Sequence, residues 1–288
     1  MSKAPRLLEV GPRDGLQNER SILPLAIKVQ FVNLLSESGL QEIEVGAFVS
    51  PKWVPQMADS DELFRSIVRR QGVVYSALVP NEQGLDRALA ARVDKVAVFT
   101  AASETFNRRN INASISESIE RFRPVIGRCT QAGLPVRGYV STAFFCPYEG
   151  QMRAEASLPV VEELLALGVE QICLADTVGE ARPEDVRRVL ELTLPKCPVD
   201  RLAMHFHDTY GHATRNAYVA WREFGIQVFD SSAGGLGGCP YAEGALGNVA
   251  TETLIGAFRS HDVDVGVDAR KIREAARLIT AATYSAEA

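Results

Sequence analysis

The stretch LAMHFHDTYGHATRNAYVAWREFGIQVFDS, residues 202–231, indicates how the whole chain folds. It begins with a short apolar run, Leu202–Phe206, which is too short for a helix and has the composition of a buried strand. An amphipathic segment, His212–Phe224, follows and stops at Gly225, as expected for a helix with a left-handed glycine cap. A second apolar run, Gln227–Ser231, completes a predicted strand–helix–strand unit.

The same alternation occupies most of the chain. Six further apolar runs come before this unit and are predicted strands: Arg6–Val10, Glu42–Gly46, Val73–Val79, Lys95–Thr100, Val136–Ser141 and Gln171–Ala175. Helical periodicity occupies Leu25–Ser38, Ser157–Leu167 and Pro183–Leu194, and a glycine follows the first two of these segments directly. Eight strands that alternate with helices predict a parallel β/α architecture.

Two features favour a barrel over a doubly wound sheet. The chain has 288 residues, near the roughly 250 residues typical of a (β/α)8 TIM barrel. No G-x-G-x-x-G motif follows the first strand, whereas a doubly wound dinucleotide-binding sheet would carry one there. We therefore predict an α/β fold with a single TIM-barrel domain, in which the barrel covers about residues 5–260 and a C-terminal helix about 266–284.

The composition excludes several classes of protein. Lys and Arg number 31 against 36 Asp and Glu, and this mildly acidic balance argues against broad nucleic-acid or membrane-surface binding. The five cysteines include no C-x-x-C pair, so a disulfide framework is not expected and reduced thiols fit a cytoplasmic setting. The chain has neither a leader pattern at its start nor an apolar stretch of membrane-helix length. We expect a cytoplasmic protein without nucleic-acid or membrane partners.

Polar side chains gather where the predicted strands end. They are Arg13 and Asp14 after the first strand, Glu44 on the second, Asp176 and Thr177 at the sixth, and His205, His207 and Asp208 at the seventh. The carboxyl ends of barrel strands meet on one face, which is where the active sites of TIM barrels lie. These residues are therefore predicted to share one pocket.

His205 and His207 predict a metal site. Residues two apart on a strand face the same side, so both imidazoles point in one direction. Combined with a carboxylate and a carbonyl oxygen, they form a mixed nitrogen and oxygen set that suits Mg, Mn or Co better than a structural zinc site. An isolated H-x-H pair fits a hydrogen-bonded core equally well. Only four histidines occur in the chain, and two of them lie here beside Asp208, which favours the metal.

Two loops supply further candidates. An Arg-Asp pair is usually a surface ion pair, but the Gly-Pro turn within EVGPRDGLQNE, residues 9–19, is expected to aim Arg13 and Asp14 inward. The glycine-rich segment GGLGGCPYAEGALGNVATE, residues 234–252, is typical of a mobile lid or a phosphate cradle. It contains Cys239, for which a buried apolar role is the alternative, and Asn248.

The order and content of these strings resemble hydroxymethylglutaryl-CoA lyases. The strings that carry the resemblance are EVGPRDGLQNE, FVSPKWVPQM, GYVSTAFFCPYEG, HFHDTYGHA and GLGGCPYAEGALGNVATE, and they cover nearly the whole chain. The resemblance implies cleavage of 3-hydroxy-3-methylglutaryl-CoA to acetyl-CoA and acetoacetate on a TIM barrel that holds a divalent cation, Mg or Mn. It also implies an acyl-CoA substrate and leucine catabolism, and by analogy a homodimer.

The resemblance also assigns roles to residues. Asp14, His205, His207 and Asn248 fall on metal ligands, and Arg13 on the group that stabilises the thioester enolate. The remaining catalytic positions are Glu44 and Asp176, which are acidic residues of the pocket, and Cys239, the loop cysteine. Gln17 and Thr177 are expected to bind substrate. Arg108 and Arg109, in the stretch after the fourth strand, are expected to contact the CoA phosphates, with a solvated basic loop as the alternative.

Two departures from the family pattern leave the substrate open. Gly46-Ala47-Phe48 stands where the family often has a serine or threonine pair before the phenylalanine, and Cys173-Leu174-Ala175 where Ser-Leu-Gly is common. Losing hydroxyls near the expected acyl pocket favours a less polar or larger acyl group. The alternatives are a lyase for a bulkier 3-hydroxy-3-alkylglutaryl-CoA, an aldolase or Claisen-type synthase with a 2-oxo acid partner, and a non-catalytic barrel that binds acyl-CoA or metal. The base that removes the hydroxyl proton stays open between a metal-bound histidine and Asp14.

Overall fold

A closed barrel of eight parallel strands forms the centre of the molecule in the computed structural model, which describes residues 3–17, 19, 21–237 and 247–287. Each strand pairs with its neighbours in chain order, and the last pairs with the first. The strands are β1 Arg6–Glu9, β2 Glu42–Ala47, β3 Val74–Leu78, β4 Lys95–Ala101, β5 Val136–Ser141, β6 Gln171–Asp176, β7 Leu202–Phe206 and β8 Val228–Ser231. The predicted TIM barrel is confirmed, and every strand lies within one residue of its predicted bounds.

Helices surround the barrel. They are α1 Leu25–Ser36, α2 Ser60–Ser66, α3 Glu82–Ala90, α4 Glu104–Ile111, α5 Ile115–Gln131, α6 Leu158–Ala166, α7 Pro183–Thr193, α8 Ala213–Phe224, α9 Thr251–Arg259 and α10 Ala269–Glu287. Gly225 ends α8 with φ of 76°, the left-handed cap that the sequence predicts. Across the described ranges, none of the helices combines the length and the apolar character that crossing a bilayer requires.

Helix α4 is one of the helices that apolar periodicity did not predict. The stretch after β4 that carries Arg108 and Arg109 is helix α4 and not a loop. Ser103 caps this helix by accepting a hydrogen bond from the Phe106 N–H at 3.0 Å, and Asn112 ends it in the left-handed region with φ of 50°. The segment is mostly polar, so apolar periodicity does not predict a helix here. The helix is instead defined by these two caps.

The barrel separates two packed layers. Outward-facing strand residues such as Val98, Val140 and Phe229 pack against the helices in one large apolar cluster. The interior holds a smaller cluster in which Tyr139 and Cys173 pack among short apolar side chains. The inside of the barrel is therefore only partly apolar, which leaves room for a buried polar network.

Helix α10 packs against the first helix of the barrel. Its residues Ile272, Ala275 and Ile279 are fully buried members of the same outer cluster as Phe31 of α1. The N–H of Asp268, just before α10, donates to the backbone of the α1–β2 connection at 2.7 Å. We propose on this packing that the barrel and the C-terminal helix form one domain.

Glu9, at the end of β1, accepts hydrogen bonds from two loops at the carboxyl ends of the barrel strands. Its Oε1 accepts hydrogen bonds from the N–H groups of Gly11 at 2.9 Å and Ala233 at 2.8 Å. Its Oε2 accepts one from the Thr251 hydroxyl at 2.7 Å. Burial outweighs these hydrogen bonds and raises the pKa of Glu9 to about 7.

Replacing Glu9 by glutamine is expected to make folding less sensitive to pH. The folded-state pKa of about 7 lies above the ordinary value of 4.5. This carboxyl therefore favours folding fully below pH 4.5 and loses that contribution as the pH rises through 7. From pH 5 to pH 8, the free energy of unfolding of Glu9→Gln should rise relative to the parent by roughly 2 to 3 kcal/mol.

Urea denaturation of the parent and of Glu9→Gln at both pH values measures this difference. Glu191→Gln, on the exposed surface of α7, is the control and should follow the parent at each pH. Equal differences between Glu9→Gln and the parent at pH 5 and pH 8 would mean that Glu9 titrates in the folded protein as it does in the unfolded chain.

Candidate metal centre and active site

A five-residue π-helical turn, Gly11–Gly15, follows β1 and positions Arg13 and Asp14. The N–H groups of Arg13 and Gly15 both donate to the Val10 carbonyl at 3.1 Å, which closes the turn tightly. Arg13 is buried as a result, and Asp14 lies at the rim of the barrel. The pair points inward, as the Gly-Pro sequence leads one to expect.

His205 and His207 lie side by side at the end of β7. Their ring centroids are 5.2 Å apart, consistent with two side chains on one face of the strand. His207 is one residue beyond the strand, and its backbone bridges to Asn248. The N–H of Val249 donates to the Phe206 carbonyl at 3.1 Å, so the segment that follows residue 246 is held beside β7.

Three residues form a group that could hold a metal ion. One ligand atom from each of Asp14, His205 and His207 lies within 4.8 Å of the others. Asn248 joins the group, because its Nδ2 donates to Asp14 Oδ2 at 2.9 Å and to the Leu236 carbonyl at 3.1 Å.

Two buried polar atoms in this group lack a partner among the described residues. They are Nδ1 of His207 and Oδ1 of Asn248. A buried acceptor without a partner is costly and calls for an explanation, such as an ion at that position. The mixed nitrogen and oxygen donors fit a hard or borderline divalent cation. The residues present therefore fit a metal.

The charge states of these residues are those that metal ligands need. Burial, and then the neighbouring His205 ring, lower the pKa of His207 to about 3, so its imidazole is neutral at neutral pH. Burial disfavours ionised Asp14, but the Arg13 guanidinium and the two imidazoles outweigh it and hold the pKa of that carboxyl well below its usual range. A neutral imidazole and an ionised carboxylate both offer lone pairs to a cation.

Gly237 allows the Asn248 side chain to approach Asp14. Its φ is +95°, a conformation that residues with a Cβ rarely adopt. A Cβ on Gly237 would lie 2.7 Å from Asn248 Nδ2 and 3.0 Å from the Cα of Gly15. The glycine is required here by both the backbone conformation and the space beside the amide.

Arg13 is held by three neighbours. Its guanidinium forms ion pairs with Glu44 and Asp14 and lies 5.5 Å from the centroid of the Tyr139 ring. The Tyr139 hydroxyl donates to the second carboxylate oxygen of Glu44 at 2.8 Å. The Arg13 guanidinium is therefore fixed beside the metal-binding group. Glu44 is connected to that group through Arg13.

Asp176 has a different position from Glu44. Its two carboxylate oxygens accept hydrogen bonds from the N–H groups of Gly179 and Ala181, each at 3.1 Å, and burial raises its pKa to about 7. The next residue, Thr177, accepts a hydrogen bond from the Thr142 N–H at 2.8 Å. Thr142 has φ of 53°, a strained conformation for a β-branched residue. These residues shape the loop beside the site.

The remaining predicted residues lie at the edges of the site. Gln17 is half-buried directly after the π-helical turn. Arg108 and Arg109 are exposed on α4, where Arg109 lies over the Tyr148 ring with 4.3 Å to its centroid. Cys239 lies outside the residues that the structure describes, so its role stays a prediction.

The two departures from the family pattern lie at different depths. Ala47 ends β2, pairs in register with Leu78 and is fully buried in the large apolar cluster. Cys173 lies deeper, among the interior apolar residues, and its Sγ is 3.6 Å from Asp230 Oδ2. This side chain packs one layer below His205, and its effect on the acyl pocket stays a prediction.

Two residues of this network escape sequence analysis. Tyr139 connects to Arg13 and Glu44, and Asp230 contacts His205. Each is a residue with a polar group at a buried position of a barrel strand, and its side chain faces the barrel interior. Tracking polar residues at inward-facing positions of the strands is the signal that could have found them.

Comparison with known proteins agrees with this geometry. A model of the HMGL-like family matches residues 4–279. The 3-hydroxy-3-isohexenylglutaryl-CoA/hydroxy-methylglutaryl-CoA lyase of Pseudomonas aeruginosa is 49% identical over 98% of this chain and 93% of that protein.

Solved structures give the same result. The HMG-CoA lyase from Brucella melitensis has a TM-score of 0.95 at 45% identity, covering 97% of this chain and 99% of that chain. An HMG-CoA lyase from Acinetobacter baumannii, in complex with coenzyme A and 3-methylmalate, has a TM-score of 0.92 at 35% identity, covering 98% of this chain and 92% of that chain. Since the family model spans almost the whole chain and the relatives match it nearly from end to end, this chain belongs to the HMGL-like family.

Proposed function

We propose that this chain is a carbon–carbon lyase that cleaves 3-hydroxy-3-methylglutaryl-CoA to acetyl-CoA and acetoacetate. The observation that carries the proposal is the ion pair between Arg13 and Asp14, because Asp14 also belongs to the metal-binding group. A retro-Claisen cleavage needs one group that activates a tertiary hydroxyl and another that stabilises an enolate. This pocket offers both next to each other.

Asp14, His205, His207 and Asn248 are the proposed metal ligands. When bound, a divalent cation, Mg or Mn, would polarise the tertiary hydroxyl and the carboxylate of the substrate. The ligands come from the π-helical turn, the end of β7 and the segment beside it. Three separate segments therefore converge on one point, which favours a catalytic site over a chance pair of histidines.

Arg13 is the proposed stabiliser of the enolate. As the bond between the two carbons breaks, negative charge moves to the thioester oxygen, and a fixed guanidinium binds that charge better in the transition state. Glu44 and Tyr139 hold the guanidinium in place, so Arg13 does not have to reorganise during the reaction. Glu44 acts on the reaction through Arg13.

The remaining proposed roles are two in proton transfer and one in holding a loop. The hydroxyl proton leaves to Asp14 or to a ligand histidine; near neutral pH Asp14 is ionised and the His207 imidazole is neutral. Asp176 keeps the loop after β6 in place through its two backbone hydrogen bonds. Cys239 is the proposed proton donor to the enolate carbon, on its sequence context alone.

A bulkier acyl group is the second proposed substrate. The Pseudomonas aeruginosa relative carries both 3-hydroxy-3-isohexenylglutaryl-CoA and hydroxy-methylglutaryl-CoA in its name, and Ala47 stands where the family often has a residue with a hydroxyl. Comparing kcat/KM for the methyl and isohexenyl thioesters decides between them. A ratio above ten in favour of the isohexenyl compound would make the bulkier substrate the physiological one.

The test of the function is the release of acetoacetate from 3-hydroxy-3-methylglutaryl-CoA. We expect activity to be lost in EDTA and to return with Mg or Mn, and to return less fully with Zn. Folded protein that releases no acetoacetate with any of these cations would instead support a non-catalytic barrel. Activity that EDTA does not change would contradict the metal site.

Arg108→Ala and Arg109→Ala test the proposed contact with the CoA phosphates. Both side chains are exposed on α4 near the mouth of the barrel. We expect each substitution to raise KM for the CoA thioester roughly 3- to 10-fold at unchanged kcat, because only ground-state binding is removed. Arg123→Ala, exposed on α5, is the control. If both variants keep the parent KM, the contact does not exist.

The biological setting follows from the same proposal. An acyl-CoA partner is supported by the Acinetobacter baumannii relative, which was solved with coenzyme A. We propose a homodimer in the cytoplasm that serves leucine catabolism. Size-exclusion chromatography with light scattering tests the dimer, because it measures the mass in solution directly.

A further inference from the structure

The carboxylate of Asp230 contacts the His205 ring at Nδ1. Asp230 belongs to β8 and pairs in register with His205 of β7. Its Oδ2 is 3.2 Å from Nδ1 of His205, and both side chains are buried. Because the backbone register fixes this contact, it is set by the closed barrel and not by the loops at its mouth.

We propose that Asp230 is a positioning residue that holds His205 with a proton on Nδ1, so that Nε2 is the nitrogen available to the metal. The inference rests on the proposed metal site and goes beyond it by naming the group that orients one ligand. A carboxylate can only accept a hydrogen bond, so the ring nitrogen facing it must carry the proton. The other nitrogen then keeps its lone pair.

Arg137 keeps the Asp230 carboxylate charged and fixed. Its guanidinium is 2.5 Å from Asp230 Oδ1 and is fully buried inside the barrel. It also donates to Gln171 Oε1 at 3.1 Å and lies 4.8 Å from the Tyr139 ring centroid. The guanidinium favours the ionised carboxylate by direct charge attraction, which in turn favours the Nδ1 proton of His205.

The network continues to the opposite end of the barrel. Gln171 Oε1 also accepts from Lys95 Nζ at 3.0 Å, and Lys95 pairs with Glu42 at 2.9 Å. All these side chains belong to barrel strands. His205 is therefore anchored to the most rigid part of the fold, whereas Asp14 and Asn248 come from connecting segments. Supporting carboxylates of this kind typically change metal affinity 10- to 100-fold.

Asp230→Asn is the decisive variant. The single amide oxygen has to face Arg137, since an NH₂ group there would oppose the guanidinium. The NH₂ group then faces His205 and donates to Nδ1, which moves the ring proton to Nε2. We expect ¹⁵N-histidine NMR of the metal-free protein to report an Nδ1-protonated His205 in the parent and an Nε2-protonated ring in Asp230→Asn. We also expect the Kd for Mn²⁺, measured by EPR of the free ion, to rise roughly 10- to 100-fold.

Two control variants separate positioning from stability. Cys173→Ala removes the other side chain that contacts Asp230 Oδ2 and should keep the parent tautomer and the Mn²⁺ affinity within about threefold. Arg137→Gln removes the ion pair but keeps the carboxylate, so it should lose stability and yet keep the Nδ1 proton. If Asp230→Asn keeps both the parent tautomer and the parent Kd, the proposal is overturned.

A further variant covers the case in which Asp230→Asn does not fold. Asp230→Glu keeps a charge for Arg137 but moves the acceptor by one methylene, so the Kd for Mn²⁺ should rise at least about threefold. An unchanged Kd would contradict the proposal. These measurements need no turnover. A protein that binds Mn²⁺ and has the expected tautomers, but releases no acetoacetate, would refute the lyase function and leave the role of Asp230 standing.

Discussion

Replacing Arg13 by lysine is expected to lower kcat by about 10²- to 10³-fold while the Kd for Mn²⁺ stays within about threefold of the parent. Lysine keeps the positive charge but lacks the planar set of donors with which Arg13 reaches both Glu44 and Asp14. The smaller ammonium also loses the contact with the Tyr139 ring. The charge then no longer sits where the enolate forms, and the loss appears in the transition state.

The measurement is steady-state release of acetoacetate under saturating Mn²⁺, with the affinity for Mn²⁺ determined separately on the resting protein. Arg123→Lys, exposed on α5, is the matched control and should keep the parent kcat. Turnover of Arg13→Lys within a few-fold of the parent would remove Arg13 from the enolate role. A large loss of Mn²⁺ affinity would mean that Arg13 acts mainly by holding Asp14.

Replacing His207 by alanine is expected to abolish metal binding and activity with little change in the stability of the metal-free protein. The ring Nδ1 has no hydrogen-bond partner in the described structure, so its removal leaves no protein group newly unpaired there. Loss of one of four ligands should weaken Mn²⁺ binding by more than about 100-fold and lower activity by about 10³-fold or more. Removing a buried nitrogen without a partner offsets part of the cost of the cavity left by the ring, so the net loss should stay below about 2 kcal/mol.

Thermal unfolding with and without Mn²⁺ measures the stabilisation that the bound ion gives to each protein. An ion at 100 times its Kd adds about 2.7 kcal/mol to the parent, which raises its Tm, whereas His207→Ala should show no rise. His212→Ala, just before α8, is the control and should keep the rise. If His207→Ala loses most of its stability without metal, the two histidines are core residues and the metal site is wrong.

The barrel could be predicted because its signals are local. Each strand is a short run such as Leu202–Phe206, and each helix end is marked by a residue such as Gly225, whose left-handed conformation depends on its own backbone. Alternation within β7 also suffices to place His205 on a known face. Helix α4 was among the helices not predicted, because capping by Ser103 and not apolar periodicity defines it.

The candidate site was predicted less completely than the barrel. The strand-end positions of Arg13, Glu44 and His205 follow from chain order, since all carboxyl ends of a parallel barrel face one way. The sequence pattern does not predict that Glu44 is connected to the metal-binding group through Arg13. It also does not predict that both carboxylate oxygens of Asp176 accept hydrogen bonds from the loop that follows it. Those assignments depend on side-chain directions over distances of a few ångströms.

Short-range preferences in the sequence alone determined the eight strands, five of the ten helices and the pairing of two imidazoles on one strand face. Only the tertiary structure decided which distant residues meet. Asn248 reaches Asp14 across 234 positions of chain, and Asp230 meets His205 because β8 pairs with β7. Such contacts arise when the sheet closes and fixes the register between strands. The free energy of that closure depends on the whole barrel and not on one segment. A pattern within one segment of sequence therefore does not predict these contacts.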